Sequence, residues 1–367
     1  MKFTISQDAF LESLKIVSRA VSGANTLPVL GNILIKAEGK KVYFSATNLE
    51  ISISTSCDAV VKNEGSITVP AKILTSYTSL LTKKEDMEIA ATGGNTLEIK
   101  SKTSKTKLKG IAADEFPAIA VVEGGVRFEL PGKDFHEAVH KVAFAAQENS
   151  SRPILSGVYF SASKAELRMA ATDSYRLSEK VLHLAKESKD ISCVIPVRAV
   201  LEAERLTMNQ EKINITISEN QVMFTVAGTQ LISRLIEGQF PNYTQIIPKN
   251  VVTKAEVDRE EFDLAVRRVS IFAKENNQHM KLEFLNDSTL TVFTDATEIG
   301  EERTTIPVVL SGDPNIIALN SDYVLDVLAA LLGEEKVKIQ LEGKMNPAVI
   351  GSVKDKTFTH LIMPLKM

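Results

Sequence analysis

The sequence predicts an α+β fold of three similar domains, each a duplicated β-α-β-β-β unit, and three recurrences along its 367 residues carry that prediction. An alternating strand followed by an amphipathic helix occurs three times. A second helix follows each of them at a nearly constant offset. Each copy closes on alternating strands and an apolar-proline pair, and these landmarks share a period of roughly 125 residues.

The first recurrence comprises FTISQDAFLESLKIVSRAV, FELPGKDFHEAVHKVAFAA and AEVDREEFDLAVRRVSIFA. Phe10, Phe135 and Phe262 correspond, Leu14, Val139 and Val266 follow one turn later, and Val17, Val142 and Val269 complete the stripe. The spacing i, i+4, i+7 puts each triplet on one helix face, so all of them are expected in a core. The second recurrence, VPAKILTSYTSLL, IPVRAVLEAERLT and LNSDYVLDVLAAL, aligns on Pro70, Pro196 and Asn320. Proline suits a helix opening and asparagine is a good N-cap, so all three mark helix starts. Between the two helices lie β-hairpins ending in Ala46-Thr47-Asn48, Ala171-Thr172-Asp173 and Phe293-Thr294-Asp295, and the copies end on Phe116-Pro117, Phe240-Pro241 and Met363-Pro364. Polar, turn-rich joins at Glu123-Gly124-Gly125 and Pro248-Lys249-Asn250 divide the chain into domains 1–124, 125–249 and 250–367.

Composition narrows the class. With 44% hydrophobic and 24% charged residues, each of three units can bury a core. No long apolar run is present and the opening MKFTISQDAF has no apolar signal region, so neither a membrane span nor a secretory leader is expected. Cys57 and Cys193 stand far apart, outside any CxxC spacing, which excludes a cysteine metal site and fits a reducing cytoplasm. The net charge of -3 argues against a chain that grips nucleic acid over its whole surface and leaves room for one basic face.

Catalytic motifs are scarce. Glycines never recur two, four or five residues apart, which removes GxGxxG, GxSxG and the Walker A loop. One expression does match: His136-Glu137-Ala138-Val139-His140, an HExxH on a helix, the spacing of a zinc hydrolase. Ala143 and Ala146 occupy the places of the glycine and third histidine of the extended motif. In the other copies His136 aligns with Leu11 and Asp263, and His140 with Lys15 and Arg267, so the pair reads as helix surface; no metal, cofactor or catalytic residue is expected. The zinc hydrolase stays as the alternative, with a sequence-specific DNA binder behind it.

Cations punctuate the same helices. Lys15 and Arg19 lie one turn apart in the first copy; Lys133, His140 and Lys141 occupy the second, and Arg259, Arg267, Arg268 and Lys274 the third. The second helices add Lys72, Arg198 and Arg205. Each alone is a solvated helix residue, but corresponding places in a triplicated domain predict one shared basic surface.

At this point the sequence resembles the bacterial sliding clamps, the β subunits of replicative DNA polymerases. The opening MKFTI, TLPVLGNILI, AATDSYRLS, GQFPNY, NSDYVLDVL and the ending LIMPLKM carry the resemblance, which spans the whole chain. It implies a head-to-tail homodimer closing into a ring, helices lining the hole and sheets outside. Such a ring encircles double-stranded DNA without reading its sequence. It tethers the replicative polymerase, the clamp loader and repair proteins through short linear motifs. A basic lining inside an acidic shell would reconcile DNA binding with the net charge.

The resemblance also implies sites. A partner-peptide pocket maps to Leu155, Thr172, Ser174, Tyr175, Arg176 and Leu177, to Pro241, Gln245 and Ile246, and to Asn320, Tyr323, Met345, Pro347, Leu361, Ile362, Met363, Pro364 and Leu365. This chain has Ser174-Tyr175 where the family often has Gly-His, and Gln245 where it has Arg, so the pocket mouth is expected to differ in polarity. DNA contacts map to Lys15, Arg19, Lys72, Asn149, Arg152, Arg198, Arg205 and Arg267, while Ala24 and Pro153-Ile154 depart from a family Arg and an aromatic pair. The dimer contact would join Lys105 to Lys109, Lys107 and Leu108 included, to the region Glu298 to Thr304, with Ile271 and Phe272 beside it.

Overall fold

Strands and helices alternate in the order that the periodicities predict. In the computed structural model, which describes residues 1–21, 27–149 and 151–367, the first copy runs β1 (Lys2–Ser6), α1 (Gln7–Val17), β2 (Asn32–Glu38), β3 (Lys41–Thr47), β4 (Ile51–Asp58), β5 (Val60–Asn63), β6 (Gly65–Pro70), α2 (Ala71–Ser79), β7 (Asp86–Thr92), β8 (Thr96–Lys100) and β9 (Lys105–Lys109). The second has β10 (Val126–Pro131), α3 (Gly132–Val142), β11 (Gly157–Thr172), β12 (Arg176–Pro196), α4 (Val197–Thr207), β13 (Lys212–Ile217), β14 (Gln221–Val226) and β15 (Thr229–Arg234). The third has β16 (Thr253–Asp258), α5 (Arg259–Ala273), β17 (His279–Leu285), β18 (Thr289–Phe293), β19 (Arg303–Gly312), β20 (Asn315–Asn320), α6 (Ser321–Ala330), β21 (Lys336–Leu341), β22 (Ala348–Ser352) and β23 (Phe358–Ile362).

The duplication is plain in the third copy, where β16-α5-β17-β18-β19 is followed by β20-α6-β21-β22-β23. In the first, β5 is added at a sheet edge. The second copy departs from the expected strand count. Its hairpin consists of two long strands, β11 of 16 residues and β12 of 21, because register shifts at Ala162/Lys164 and Lys164/Glu166 bend the ribbon without ending it.

Antiparallel ladders stitch the copies together. β15 of the second copy pairs with β4 of the first, Leu231 opposite Ile53, and β23 of the third pairs with β12 of the second, Leu361 opposite Leu177. Chain contacts accordingly form two compact units: residues 1–133 with 202–235, and residues 134–201 with 236–367. The first unit holds the sheets β5-β1-β7-β8-β9 and β10-β13-β14-β15-β4-β3-β2-β6; the second holds the ten-stranded sheet β11-β12-β23-β22-β21-β16-β19-β18-β17-β20. Both joins read from sequence lie outside helix and strand. At one of them Gly125 has φ +90°, and a Cβ there would meet the Ile217 carbonyl oxygen at 2.3 Å, so only glycine fits.

The helical stripes are where the spacing puts them. Phe10, Leu14, Val17, Phe135, Val139, Val142, Phe262, Val266 and Val269 are each 0% exposed. In the third copy Phe262, Val266 and Val269 of α5 join Val324, Val327 and Leu328 of α6 over Leu282, Val292, Ile317 and Ile339 of the sheet. Burying each such side chain stabilises the fold by about 1.5–3 kcal/mol. Helix openings also follow the sequence. Pro70, Pro196 and Asn320 immediately precede α2, α4 and α6, and the Asn320 side chain accepts from the Asp322 and Tyr323 N–H groups at 2.9 and 3.3 Å.

Candidate functional site

The seam between β12 and β23 gathers most of the predicted pocket residues. Arg176 lies opposite Ile362, Leu177 opposite Leu361 and Ser178 opposite His360. The turn joining β11 to β12 is built by the Ala-Thr-Asp triplet. The Asp173 carboxylate accepts from the Tyr175 and Arg176 N–H groups, both at 2.9 Å. The Thr172 hydroxyl donates to the Arg176 carbonyl at 2.6 Å and accepts from the Ser174 N–H at 3.1 Å. Ser174 is thereby held at φ +81°, a left-handed conformation that costs a residue with a Cβ about 1 kcal/mol and explains why glycine suits this place. Beyond β23 the tail stays attached. Met363 N–H donates to the Tyr175 carbonyl and Leu365 N–H to the Ala318 carbonyl, both at 2.8 Å, and His279 Nε2 sits 2.9 Å from the Lys366 carbonyl.

Strand alternation divides the predicted floor between two faces of the sheet. Leu177 and Leu361 enter a cluster with Ala170, Val194, Phe240, Tyr243 and Val349. Thr172, directly opposite Leu177, shares that side. Phe240 and Tyr243 flank Pro241 and bring its loop, with the exposed Gln245 and Ile246, to the same cluster. Ile362, expected on the floor, instead enters the third-copy core and is 0% exposed. Arg176 likewise turns to the helix side, over the Tyr323 ring at 4.5 Å. Leu155 is buried on the short turn Pro153–Ser156 and Tyr175 is exposed on the hairpin tip; Pro347 is half-buried before β22, and Met345 is exposed in the same loop. A cavity of about 500 Å³ opens beside the aromatic cluster, lined by Tyr159, Ser161, Arg168, Ser192, Phe240 and Tyr243 among others, with Pro241 the predicted pocket residue on its wall.

Sequence reading missed what surrounds Arg176. Its guanidinium donates to Asp173 at 3.0 Å, to the Phe144 carbonyl at 2.9 Å and to Asp326 of α6. The Phe144 ring lies 5.5 Å away, with the Tyr323 ring in contact as well. Beneath it the wholly buried His360 shares a hydrogen bond with Ser178 at 2.6 Å. Burial, then the nearby Arg176 charge, hold the imidazole neutral, its pKa pushed down to about 3. A second ionic group joins the copies: Lys141 of α3 lies 2.8 Å from Glu137 and 2.9 Å from Asp355, and Lys180 of β12 lies 2.5 Å from Asp355. Burial alone would raise the Asp355 pKa, but Lys180, Thr357 and Lys141 hold it well below the usual carboxylate range.

That group corrects the reading of Lys141, which is buried and paired and adds nothing to a basic helix face. The eight predicted DNA contacts are all exposed. Arg267 is partly neutralised by a forked pair with Asp263, and Arg205 by Glu202. Lys72 and Arg198 are the second residues of α2 and α4, helices without an acidic residue in the first turn, whereas α6 has Asp322 at that place. Ala24 lies outside the described residues. As for the HExxH helix, Glu137 is engaged by Lys141 and Lys180, and no three His, Cys, Asp or Glu among the described residues are grouped to hold a metal ion. No described helix is long and apolar enough to cross a membrane.

The predicted dimer segments are sheet edges, each within its own unit. β9, with Lys107 exposed and Leu108 half-buried, ends the five-stranded sheet. In β19, residues 303–307 pair with β18, while β16 pairs only with residues 308–312 along the other side, leaving the first half open there. Ile271 is 61% exposed, and Phe272 is half-buried against Gly300, where a Cβ would lie 3.2 Å from its ring. Ile73 and Leu80, which sequence reading passed over, are 56% and 86% exposed on and just after α2.

Comparison with known proteins places these features in one family. Models of the DNA polymerase III beta subunit match along the whole chain: the N-terminal domain at residues 1–120, the central domain at 129–242 and the C-terminal domain at 244–366. The chain is 30% identical to the beta sliding clamp of Synechococcus elongatus, with 100% of both chains covered, and 30% identical to that of Staphylococcus aureus, covering 99% of the relative. Among solved structures, the DNA polymerase sliding clamp of Bacillus subtilis superposes with a TM-score of 0.95 at 29% identity, over 100% of this chain and 99% of that one. The DNA polymerase III beta subunit of Pseudomonas aeruginosa gives 0.94 at 26%, with both chains fully covered. With three successive domain models matched and full-length relatives at this identity, the chain belongs to the DNA polymerase III beta subunit family, the beta sliding clamps.

Proposed function

We propose that two copies of this chain close head to tail into a ring that encircles duplex DNA and tethers the replicative polymerase, the clamp loader and repair proteins in the bacterial cytoplasm. The chain is a non-catalytic processivity factor; its work is topological and adhesive, with no reaction of its own. The observation that supports the reading is the threefold repetition along the chain, in which each copy contributes two helices and the strands that flank them.

In this reading Lys15, Arg19, Lys72, Asn149, Arg152, Arg198, Arg205 and Arg267 face the duplex. They meet phosphates and no base edges, so binding is sequence-independent and salt-sensitive. Two copies meet through β9 and the open edge of β19, a heterologous contact that closes after two subunits. Exposed Ile73 and Leu80 on one side, and Ile271 with Phe272 on the other, supply the apolar part of that contact. The cluster face at the β12–β23 seam, with Leu155, Thr172, Leu177, Leu361 and Met363, takes a short peptide bearing Gln, Leu and Phe side chains. Tyr175, Gln245 and Ile246 flank its mouth. Sedimentation velocity tests the assembly: a species of twice the chain mass at micromolar concentration is expected, and a monomer there overturns the ring.

A further inference from the structure

The first copy contains the same turn as the docking seam. Asn48 accepts from the Glu50 and Ile51 N–H groups at 3.0 and 2.8 Å, as Asp173 does from Tyr175 and Arg176. The Thr47 hydroxyl donates to the Ile51 carbonyl and accepts from the Leu49 N–H, both at 3.0 Å, and Leu49 has φ +76°. Even the seam bond is repeated, with Arg234 N–H donating to the Glu50 carbonyl at 3.4 Å. Ile51 stands where the second copy has Arg176. The turn therefore forms, strain included, without an arginine.

Arg176 must accordingly be explained by its other contacts. A guanidinium taken largely out of water is costly unless it is fully paired, and pairs of this kind are often no more stabilising than apolar side chains of similar size. Its side chain is 12% exposed and reaches Asp326 on α6 and the Phe144 carbonyl just after α3, between the rings of Phe144 and Tyr323. Its own backbone belongs to the turn that carries Tyr175, whose carbonyl in turn holds Met363 of the tail. One side chain thus joins the two helices to the turn and, through it, to the tail.

We propose that Arg176 is a positioning residue: from the helix side of the sheet it fixes the hairpin tip and tail that frame the peptide site, with Asp326 as its anchor. Resting on the docking reading above, this assigns a role in peptide binding to a carboxylate on the opposite side of the sheet from the docking cluster. The Asp326 carboxylate meets Arg176 on the side of the sheet opposite the cluster that holds Leu177 and Leu361, so an influence of Asp326 on affinity is expected to pass through Arg176.

The test is a double-mutant cycle read as peptide affinity, using the full-length protein and a fluorescein-labelled peptide containing Gln, Leu and Phe. The variants are Arg176→Met, Asp326→Asn, and both together, with Arg176→Lys as the conservative substitution that keeps charge and loses the fork. Asp326→Asn alone should weaken binding about threefold and Arg176→Met about tenfold, each within the range of coupling seen for contacting residues. The double variant should equal Arg176→Met, and Arg176→Lys should recover part of the loss. Thermal unfolding and sedimentation of each variant establish that it is folded and dimeric. If Asp326→Asn binds like the parent, or if the losses multiply in the double variant, Arg176 is not anchored through Asp326 and the inference fails. If the parent itself binds no peptide at high micromolar concentration, the docking reading fails and takes this one with it.

Discussion

Removing Met363 to Met367 separates docking from folding. Leu361 and Ile362 belong to β23 and are 1% and 0% exposed, so a truncation that took them would strip the core together with the site. The five residues beyond contribute two backbone hydrogen bonds and one to His279. At about 1 kcal/mol net each these sum to roughly 3 kcal/mol. Truncation also removes the backbone entropy cost of ordering the same residues, which opposes that loss, so the core should stay folded. The docking face loses more. Met363 and Leu365 are half-buried apolar walls, and at about 1.5–3 kcal/mol per fully covered side chain even partial loss of both removes roughly 2 kcal/mol of binding. A micromolar peptide complex, about -8 kcal/mol, would weaken some thirtyfold. Fluorescence anisotropy with the labelled peptide measures the affinity and a thermal melt measures the fold. A truncated protein that binds within about threefold of the parent would refute the assignment of the tail as a pocket wall.

Other perturbations address the remaining surfaces. Lys72→Asp and Arg198→Asp replace cations at helix N-termini by acids, so each should raise stability by about 0.3–1 kcal/mol while weakening retention on DNA; an unchanged salt dependence of DNA binding would remove these residues from the interface. Ile271→Ala with Phe272→Ala should give monomers by analytical ultracentrifugation, and a persistent dimer at low micromolar concentration counts against this contact. Acid should destabilise the protein. His360 is neutral when folded, with a pKa of about 3, and titrates near 6.5 when unfolded, so its contribution is complete above pH 6.5 and is lost as pH falls toward 3, by up to about 1.4 kcal/mol per pH unit. Asp355 acts in the same direction below its ordinary value of 3.8. Urea midpoints at pH 7, 5.5 and 4.5 should fall, and His360→Phe should flatten the upper part of that decline; equal midpoints for the parent would contradict the assignment.

What the sequence disclosed was local. The apolar stripes were legible because a 3.6-residue period names its own buried face, and the helix openings because proline and asparagine act on adjacent backbone. The seams were not, since the pairing of β15 with β4 and of β23 with β12 joins segments distant in sequence, and no periodicity specifies a partner. Without that register the two sides of β23 could not be told apart, which is why Ile362 was grouped with Leu361. Lys141 looks like a solvated helix residue in sequence because its partner Asp355, and Lys180 which shares that carboxylate, come from elsewhere in the chain. The Arg176 network was hidden for the same reason, although the repeated triplets ending in Asn48 and Asp173 did mark the turn that carries it.

Encirclement is the central claim, and one topological measurement decides it. The protein, labelled and loaded onto a nicked circular plasmid by a bacterial clamp loader with ATP, is separated from free protein by gel filtration, and half of the sample is linearised with a restriction enzyme. A ring held by topology stays with the circle and slides off the open ends, so the label should remain with the circular DNA and leave the linear DNA at moderate salt. Equal retention on both would mean that the chain grips DNA directly, contradicting the account.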